Sequence, residues 1–137
     1  HASSLPGVLT VLSGMSDMQQ VEDNIQTLAR FRPLSEVENA VVARAASAYR
    51  ASGAIPCTAC RYCMDCPAGV DIPRVFSAYN TLRIKENKMR FRIDYRSLDE
   101  SEHAHNCVEC GACLEHCPQS IDIPAMMRVV RQAAADL

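Results

Sequence analysis

Apolar residues recur along this chain in two rhythms. The run Val8-Leu9-Thr10-Val11-Leu12 is nearly continuous and is followed by Ser13-Gly14, so it predicts one short buried strand ending in a turn. Just beyond it the period changes. Met18, Val21, Ile25 and Leu28 repeat at helical spacing, and Ser16 with Gln19 forms a capping box at the start. A strand followed at once by a helix is a βα unit. A lone strand leaves its amides and carbonyls unpaired, so this unit needs partner strands or a place at the margin of another domain.

Arg32-Pro33 closes that unit. Ser35 and Glu38 make a second capping box, opening a helix whose face carries Val37, Val41, Ala45, Ala48 and Tyr49 and which should stop near Gly53. A third helix is expected from Val70-Asp71-Ile72-Pro73, with Asp near the N-cap, Pro in the first turn, and Val75, Phe76, Tyr79 and Leu82 inward. From Ile84 to Asn106 the pattern becomes polar and charged, which predicts a fraying helix end, a loop and a short acidic turn. A last helix follows Ile121-Asp122-Ile123-Pro124 and carries Met126, Met127, Val130 and Ala134.

Two stretches repeat. Cys66-Pro67-Ala68-Gly69-Val70-Asp71-Ile72-Pro73 and Cys117-Pro118-Gln119-Ser120-Ile121-Asp122-Ile123-Pro124 share one pattern at an offset of 51 residues, each leading into a helix. Neither unit has a complete core, so the two are expected to pair around a pseudo-two-fold axis.

Composition supports a mostly α fold. Of 137 residues, 48% are hydrophobic but only 5% aromatic, with no Trp, so Leu, Ile, Val, Ala and Met must fill the core. The length suits one domain, or a small domain with an attached piece. A formal net charge of −2 gives no reason to expect nucleic acid or an anionic membrane as partner. No apolar run reaches the roughly 18 residues of a membrane span and no signal peptide is visible, so a soluble, cytoplasmic protein is expected. The chain opens at His1 rather than Met, as a fragment or a tag scar would.

The chemistry lies in the cysteines. All eight fall in two runs: Cys57, Cys60, Cys63, Cys66-Pro67 and Cys107, Cys110, Cys113, Cys117-Pro118. A cysteine at every third position brings three thiolates to three corners of one iron–sulfur cube, while the fourth, ahead of Pro, points elsewhere. That is a two-cluster ferredoxin signature, with one cluster held by Cys57, Cys60, Cys63 and Cys117 and the other by Cys107, Cys110, Cys113 and Cys66. The first run has two residues between its third and fourth cysteine and the second has three, the more usual gap. A disulfide framework would scatter its cysteines through loops. Zinc would draw on pairs of Cys-x-x-Cys knuckles, and two structural zinc ions remain the competing metal reading. His103, His105 and His116 lie near the second run and are read as surface residues, since eight cysteines suffice.

Long helices after each Cys-Pro make this region resemble the α-helical ferredoxins. The stretch from Val11 to Asn24 resembles the eighth strand and following helix of aldo/keto reductases. In that family the corner grips the adenosine phosphate end of a nicotinamide cofactor, which the resemblance places on Ser16, Gln20, Asp23 and Asn24. Gln20 stands where the family often has Arg, which leaves NAD or NADP open. The residue-level alternative is capping and a solvated helix face. The two resemblances meet in aldo/keto reductase-like proteins with a C-terminal four-iron dicluster domain, which this chain resembles over almost its whole length, including Ile55-Pro56-Cys57-Thr58-Ala59-Cys60-Arg61-Tyr62-Cys63.

The resemblance implies an α-helical ferredoxin-like dicluster domain preceded by a remnant strand–helix unit of a (β/α)8 barrel. It divides the chain into a barrel remnant (1–32), a linking helix (33–55) and the two-cluster domain (56–137). Its expected cofactors are two four-iron (4Fe-4S) clusters, with NAD(P) only in a full-length protein. The expected function is an electron-transfer module of an oxidoreductase, partnered by a redox protein or by the missing barrel. The family's catalytic residues cannot be assigned in this chain, so the fragment is expected to be inactive alone. An independent ferredoxin-like carrier and a purely structural, metal-stapled domain are the alternatives.

Overall fold

The computed structural model describes residues 1–135. Among them every regular element is helical: α1 (Met18–Ala29), α2 (Glu36–Ala51), α3 (Ile72–Lys85), α4 (Lys88–Arg96) and α5 (Ile123–Ala135), with 3-10 turns at Ala2–Ser4, Glu100–Glu102 and Ala104–Asn106. The mostly α class expected from composition is the one observed. The residues divide into two compact units, His1–Ser47 and a second from Ala48 onward. None of the described helices is long and apolar enough to cross a membrane.

The first unit has no buried residue. The expected strand at Val8–Leu12 does not form, and the remnant strand–helix pairing is therefore not seen; Leu9 is 99% and Leu12 92% exposed. The physical reason is the one that makes lone strands unstable: no described segment offers its amides and carbonyls a ladder. The α1 cap also lies one residue later than Ser16/Gln19. Asp17 accepts the Gln20 N–H at 2.9 Å, and Gln20 Oε1 accepts the Ser16 N–H at 2.7 Å. A carboxylate at the positive end of the helix dipole is a better acceptor than the neighbouring hydroxyl.

The α2 capping box forms at the expected residues. Ser35 Oγ accepts the Glu38 N–H at 3.3 Å and Glu38 Oε2 accepts the Ser35 N–H at 2.8 Å. Arg32 grips the same carboxylate through both terminal nitrogens, at 2.9 and 2.7 Å. The Arg32 guanidinium, and then Ser35, hold the Glu38 pKa down at about 2.

The second unit contains the core. Asp71 caps α3 by accepting the Arg74 N–H at 3.1 Å, and Pro73 sits in the first turn. Glu86, in the left-handed region (φ 50°), ends α3, and Asn87 starts α4 at once by accepting the Arg90 N–H at 2.8 Å. The sequence pattern suggested a loop here. Five of the nine residues of α4 are charged, Met89 and Ile93 are exposed, and only Phe91 and Tyr95, four residues apart, are buried. Those two carry the packing: Tyr79 meets Phe91 edge-on at 6.3 Å, Phe91 meets Tyr95 at 5.7 Å, and Tyr95 stacks on His103 at 4.6 Å. The Tyr95 hydroxyl accepts the buried Ala104 N–H at 3.0 Å. His103 is thus not a surface residue; its side chain is 12% exposed. Helices α3, α4 and α5 close over Ile55, Val70, Val75, Phe76, Met127 and Val130, each contributing roughly 1.5–3 kcal/mol of burial.

Two side chains of α3 fix the approach to the first cysteine run. Asn80 Oδ1 accepts the Ile55 N–H at 2.7 Å and its Nδ2 donates to the Ile55 carbonyl at 2.8 Å, copying a strand partner with one side chain. Arg83 Nε donates to the Ser52 carbonyl at 3.0 Å and lies over Gly53, where a Cβ would come within 2.6 Å of the guanidinium. Gly53 has φ +70°, a backbone conformation that favours glycine, while the Arg83 guanidinium can shift to admit a Cβ.

Candidate metal centre

Each cysteine run is an irregular loop held open by strained backbone. Ala59 (φ 55°) and Arg61 (φ 66°) lie in the left-handed region in the first loop, and Glu109 (φ 56°) and Gly111 (φ 79°) lie there in the second. After the Cys-Pro pairs, Gly69 (φ 72°) and Ser120 (φ 51°) do the same. A non-glycine residue held there costs about 1–3 kcal/mol and persists only where its surroundings impose it. Such turns aim successive backbone N–H groups into one concavity, an arrangement suited to anionic sulfur. The Ala59 N–H donates to Cys57 Sγ at 3.4 Å.

Several hydrogen bonds recur at equivalent positions of the two loops. Met64 N–H donates to the Arg61 carbonyl and Leu114 N–H to the Gly111 carbonyl. Gly69 N–H donates to the Cys66 carbonyl and Ser120 N–H to the Cys117 carbonyl, both at 3.0 Å. Asp71 and Asp122 then accept the Arg74 and Ala125 N–H groups at 3.1 and 3.0 Å, delivering α3 and α5 in the same way.

Two cavities result. One is lined by Cys57, Cys60, Cys63 and Cys117; the other by Cys66, Cys107, Cys110 and Cys113. Each gathers three cysteines of one run and the last of the other. Ile72 and Ile123 line both cavities and so form their shared wall, with Phe76 on one side and Met127 on the other. All eight cysteines are free; Cys60 and Cys110, at equivalent positions, are the exposed ones, and the rest are half-buried.

With no metal bound, these surroundings favour the protonated thiols over the thiolates. Burial pushes the Cys63 thiol up to about 11, with Cys57, Cys113 and Cys60 adding repulsion. Burial likewise raises Cys57, partly offset by the Ala59 N–H, with Cys60 and Cys117 as neighbouring charges; it raises Cys113, whose neighbours are Cys107, Cys66 and Cys110. Four thiolates crowded against aliphatic walls become stable only when a cationic centre binds them together. The donor set is four sulfurs per cavity with backbone amides around them, and it fits a thiolate-held iron–sulfur cluster.

Residues 56–121 match the family model of the 4Fe-4S dicluster domain. The match takes in all eight cysteines, and a dicluster domain with eight cysteines fits two 4Fe-4S clusters. No curated protein and no solved structure matches the chain. Within the second unit, three contributors were not singled out in the sequence. Ile72 and Ile123 were visible only as members of the repeated Asp-Ile-Pro, and Asn80 carried no local signal because its partner lies 25 residues earlier.

The nicotinamide-type residues lie in the first unit, where Ser16, Gln20 and Asp23 are exposed and Asn24 is half-buried. Ser16 and Gln20 bond to each other in the α1 cap, and Asn24 Nδ2 donates to Ser13 Oγ at 3.1 Å. Asp23 and Gln20 line an open groove shared with Asp17 and Glu22. That groove has three carboxylates and no cation among its lining residues, so its field opposes a phosphate.

Proposed function

We propose that the second unit is an electron-transfer module that relays electrons through two 4Fe-4S clusters, held by Cys57, Cys60, Cys63 and Cys117 and by Cys107, Cys110, Cys113 and Cys66. The observation that carries this reading is the pair of cavities, each completed by the last cysteine of the other run and both bounded by Ile72 and Ile123. The matching left-handed positions and hydrogen bonds support a pseudo-two-fold repeat. When bound, such clusters supply one-electron chemistry with every ligand position filled by protein. The chain's own residues set the conditions. The aliphatic shared wall excludes water between the cavities, the Ala59 amide donates toward sulfur, and the exposed Cys60 and Cys110 mark where each cavity comes nearest to a partner.

Beyond the dicluster domain, the reading extends to a cytoplasmic oxidoreductase of the aldo/keto reductase type, of which this chain is the C-terminal part and whose barrel, or a separate redox protein, is the partner. Its support is the sequence resemblance over Val11–Asn24 and the exposure of the apolar residues Leu9, Leu12, Met18 and Ile25. A gene that continues upstream with seven further βα units would bear this extension out.

Anaerobic iron, sulfide and zinc analysis, with an EPR spectrum of the dithionite-reduced protein, tests the central reading. About eight iron and eight sulfide per chain, with signals of two interacting reduced cubes, are expected. Stoichiometric zinc without sulfide would instead make the module a structural metal domain.

A further inference from the structure

Outside the cysteine loops, three metal-ligating side chains converge on the polar segment between α4 and the second run. Glu100 and His103 belong to the turn Glu100–Glu102 and its end, and His105 to the turn Ala104–Asn106. One ligand atom from each lies within 4.8 Å of the other two. Glu100 Oε2 is 3.8 Å from His103 Nδ1, and Oε1 is 3.6 Å from His105 Nε2. Both separations are too long for hydrogen bonds, so the carboxylate and the two imidazole nitrogens face one another without satisfying one another. With metal–ligand bonds near 2.0–2.2 Å, two ligands of a tetrahedral ion stand about 3.4 Å apart, so atoms within 4.8 Å of one another need to close by at most about 1.4 Å, within reach of a side-chain adjustment.

The neighbours hold this tripod in place. The His103 ring is clamped against Tyr95 at 4.6 Å, and its Nε2 is buried without a partner, which leaves Nδ1 as the nitrogen turned to Glu100. The two imidazoles meet edge-on at 5.5 Å. Asn106 Nδ2 donates to the Glu100 carbonyl at 2.7 Å and to the His103 carbonyl at 3.5 Å, tying the two turns together. Glu100, the most exposed of the three, is the one free to swing onto an ion.

We propose that Glu100, His103 and His105 form a third metal site, distinct from the cysteine cavities, that takes a divalent transition-metal ion of the zinc type. Two imidazoles and one carboxylate are the donors that such ions prefer over calcium or magnesium, and three protein ligands leave the fourth position for water. The site lies just before the second run, where the Cys107 N–H donates to the Ala104 carbonyl at 3.2 Å. A bound ion would therefore brace the loop that carries Cys107.

The test uses the full chain with its cysteine cavities loaded anaerobically, dialysed against buffered free zinc, with iron, sulfide and zinc counted in the same sample. One zinc per chain is expected in addition to the iron, and its X-ray absorption should fit nitrogen and oxygen neighbours near 2.0–2.2 Å with no sulfur near 2.3 Å. His105→Ala and Glu100→Gln, both at exposed positions, should each weaken zinc binding at least about tenfold, as loss of one of three ligands demands, while the iron count stays the same. The site is disproved if no zinc is retained beyond the iron, if the retained zinc is bound by sulfur, or if both variants bind it as tightly as the parent.

Discussion

Replacing Asn80 by Ala removes both hydrogen bonds to Ile55, at 2.7 and 2.8 Å, which hold the chain in place just before Cys57. Each such bond contributes about 1 kcal/mol net, and a buried amide or carbonyl left without a partner costs about 1–3 kcal/mol. Ile55 is almost fully buried, so water replaces the lost side chain poorly. The expected destabilisation is therefore about 2–4 kcal/mol. With a urea slope near 2 kcal/mol per molar, the midpoint should fall by about 1–2 M. The assay is urea unfolding of the cluster-loaded protein, followed anaerobically by helical circular dichroism at matched iron content. Thr81→Ala is the control, since its hydroxyl bonds only the exposed Ser77 carbonyl one turn back and its loss should be nearly neutral. An Asn80→Ala midpoint within error of the parent would refute the reasoning, because it would mean that the Ile55 clamp does not hold the loop.

Phe91→Ala should cost about 3–5 kcal/mol, the usual range for an emptied aromatic core site, and near-ultraviolet circular dichroism should show the loss of fixed tyrosine packing; a neutral result would mean that α4 is not docked through Phe91. The Glu38 carboxyl, held at about 2 against an ordinary 4.5, favours the α2 cap fully above the ordinary value. That contribution should fade as pH falls from about 4.5 toward 2, so NMR signals of the α2 amides should report fraying over that window and Glu38→Gln should abolish the dependence. The chain by itself should not reduce carbonyl compounds with NADH or NADPH in a spectrophotometric assay; a turnover that scales with protein would contradict the reading that the reductase chemistry lies elsewhere.

What could be read in the sequence were features whose causes are local. The Ser35–Glu38 box, the Asp71 cap and the Cys-Pro turns depend on residues three or four apart, and each is found where the spacing puts it. Helix α4 was hidden because averaging over its charged surface drowns the two inward aromatics, although Asn87 and the i,i+4 pair Phe91/Tyr95 were there to be noticed. The strand at Val8–Leu12 was over-read because apolarity alone does not supply a pairing partner. His103 looked like a surface residue until Tyr95, eight positions away on another helix, was seen to stack on it. The common wall of Ile72 and Ile123 is a tertiary fact: the repeat marks the two residues as equivalent but does not say that they meet the same two cavities.

The exchange of the fourth cysteines is the centre of the account, and paired substitutions test it directly. If each cavity holds its own cluster with the last ligand crossed over, the Cys57→Ala/Cys117→Ala double variant damages one ligand set and leaves Cys66, Cys107, Cys110 and Cys113 complete. Anaerobic iron and sulfide analysis should then find about four of each per chain, whereas Cys57→Ala/Cys66→Ala strikes both sets and should leave neither cluster intact. The reverse result, with about four irons kept in the Cys57/Cys66 variant and none in the Cys57/Cys117 variant, would place each run's four cysteines on one cluster and contradict the account.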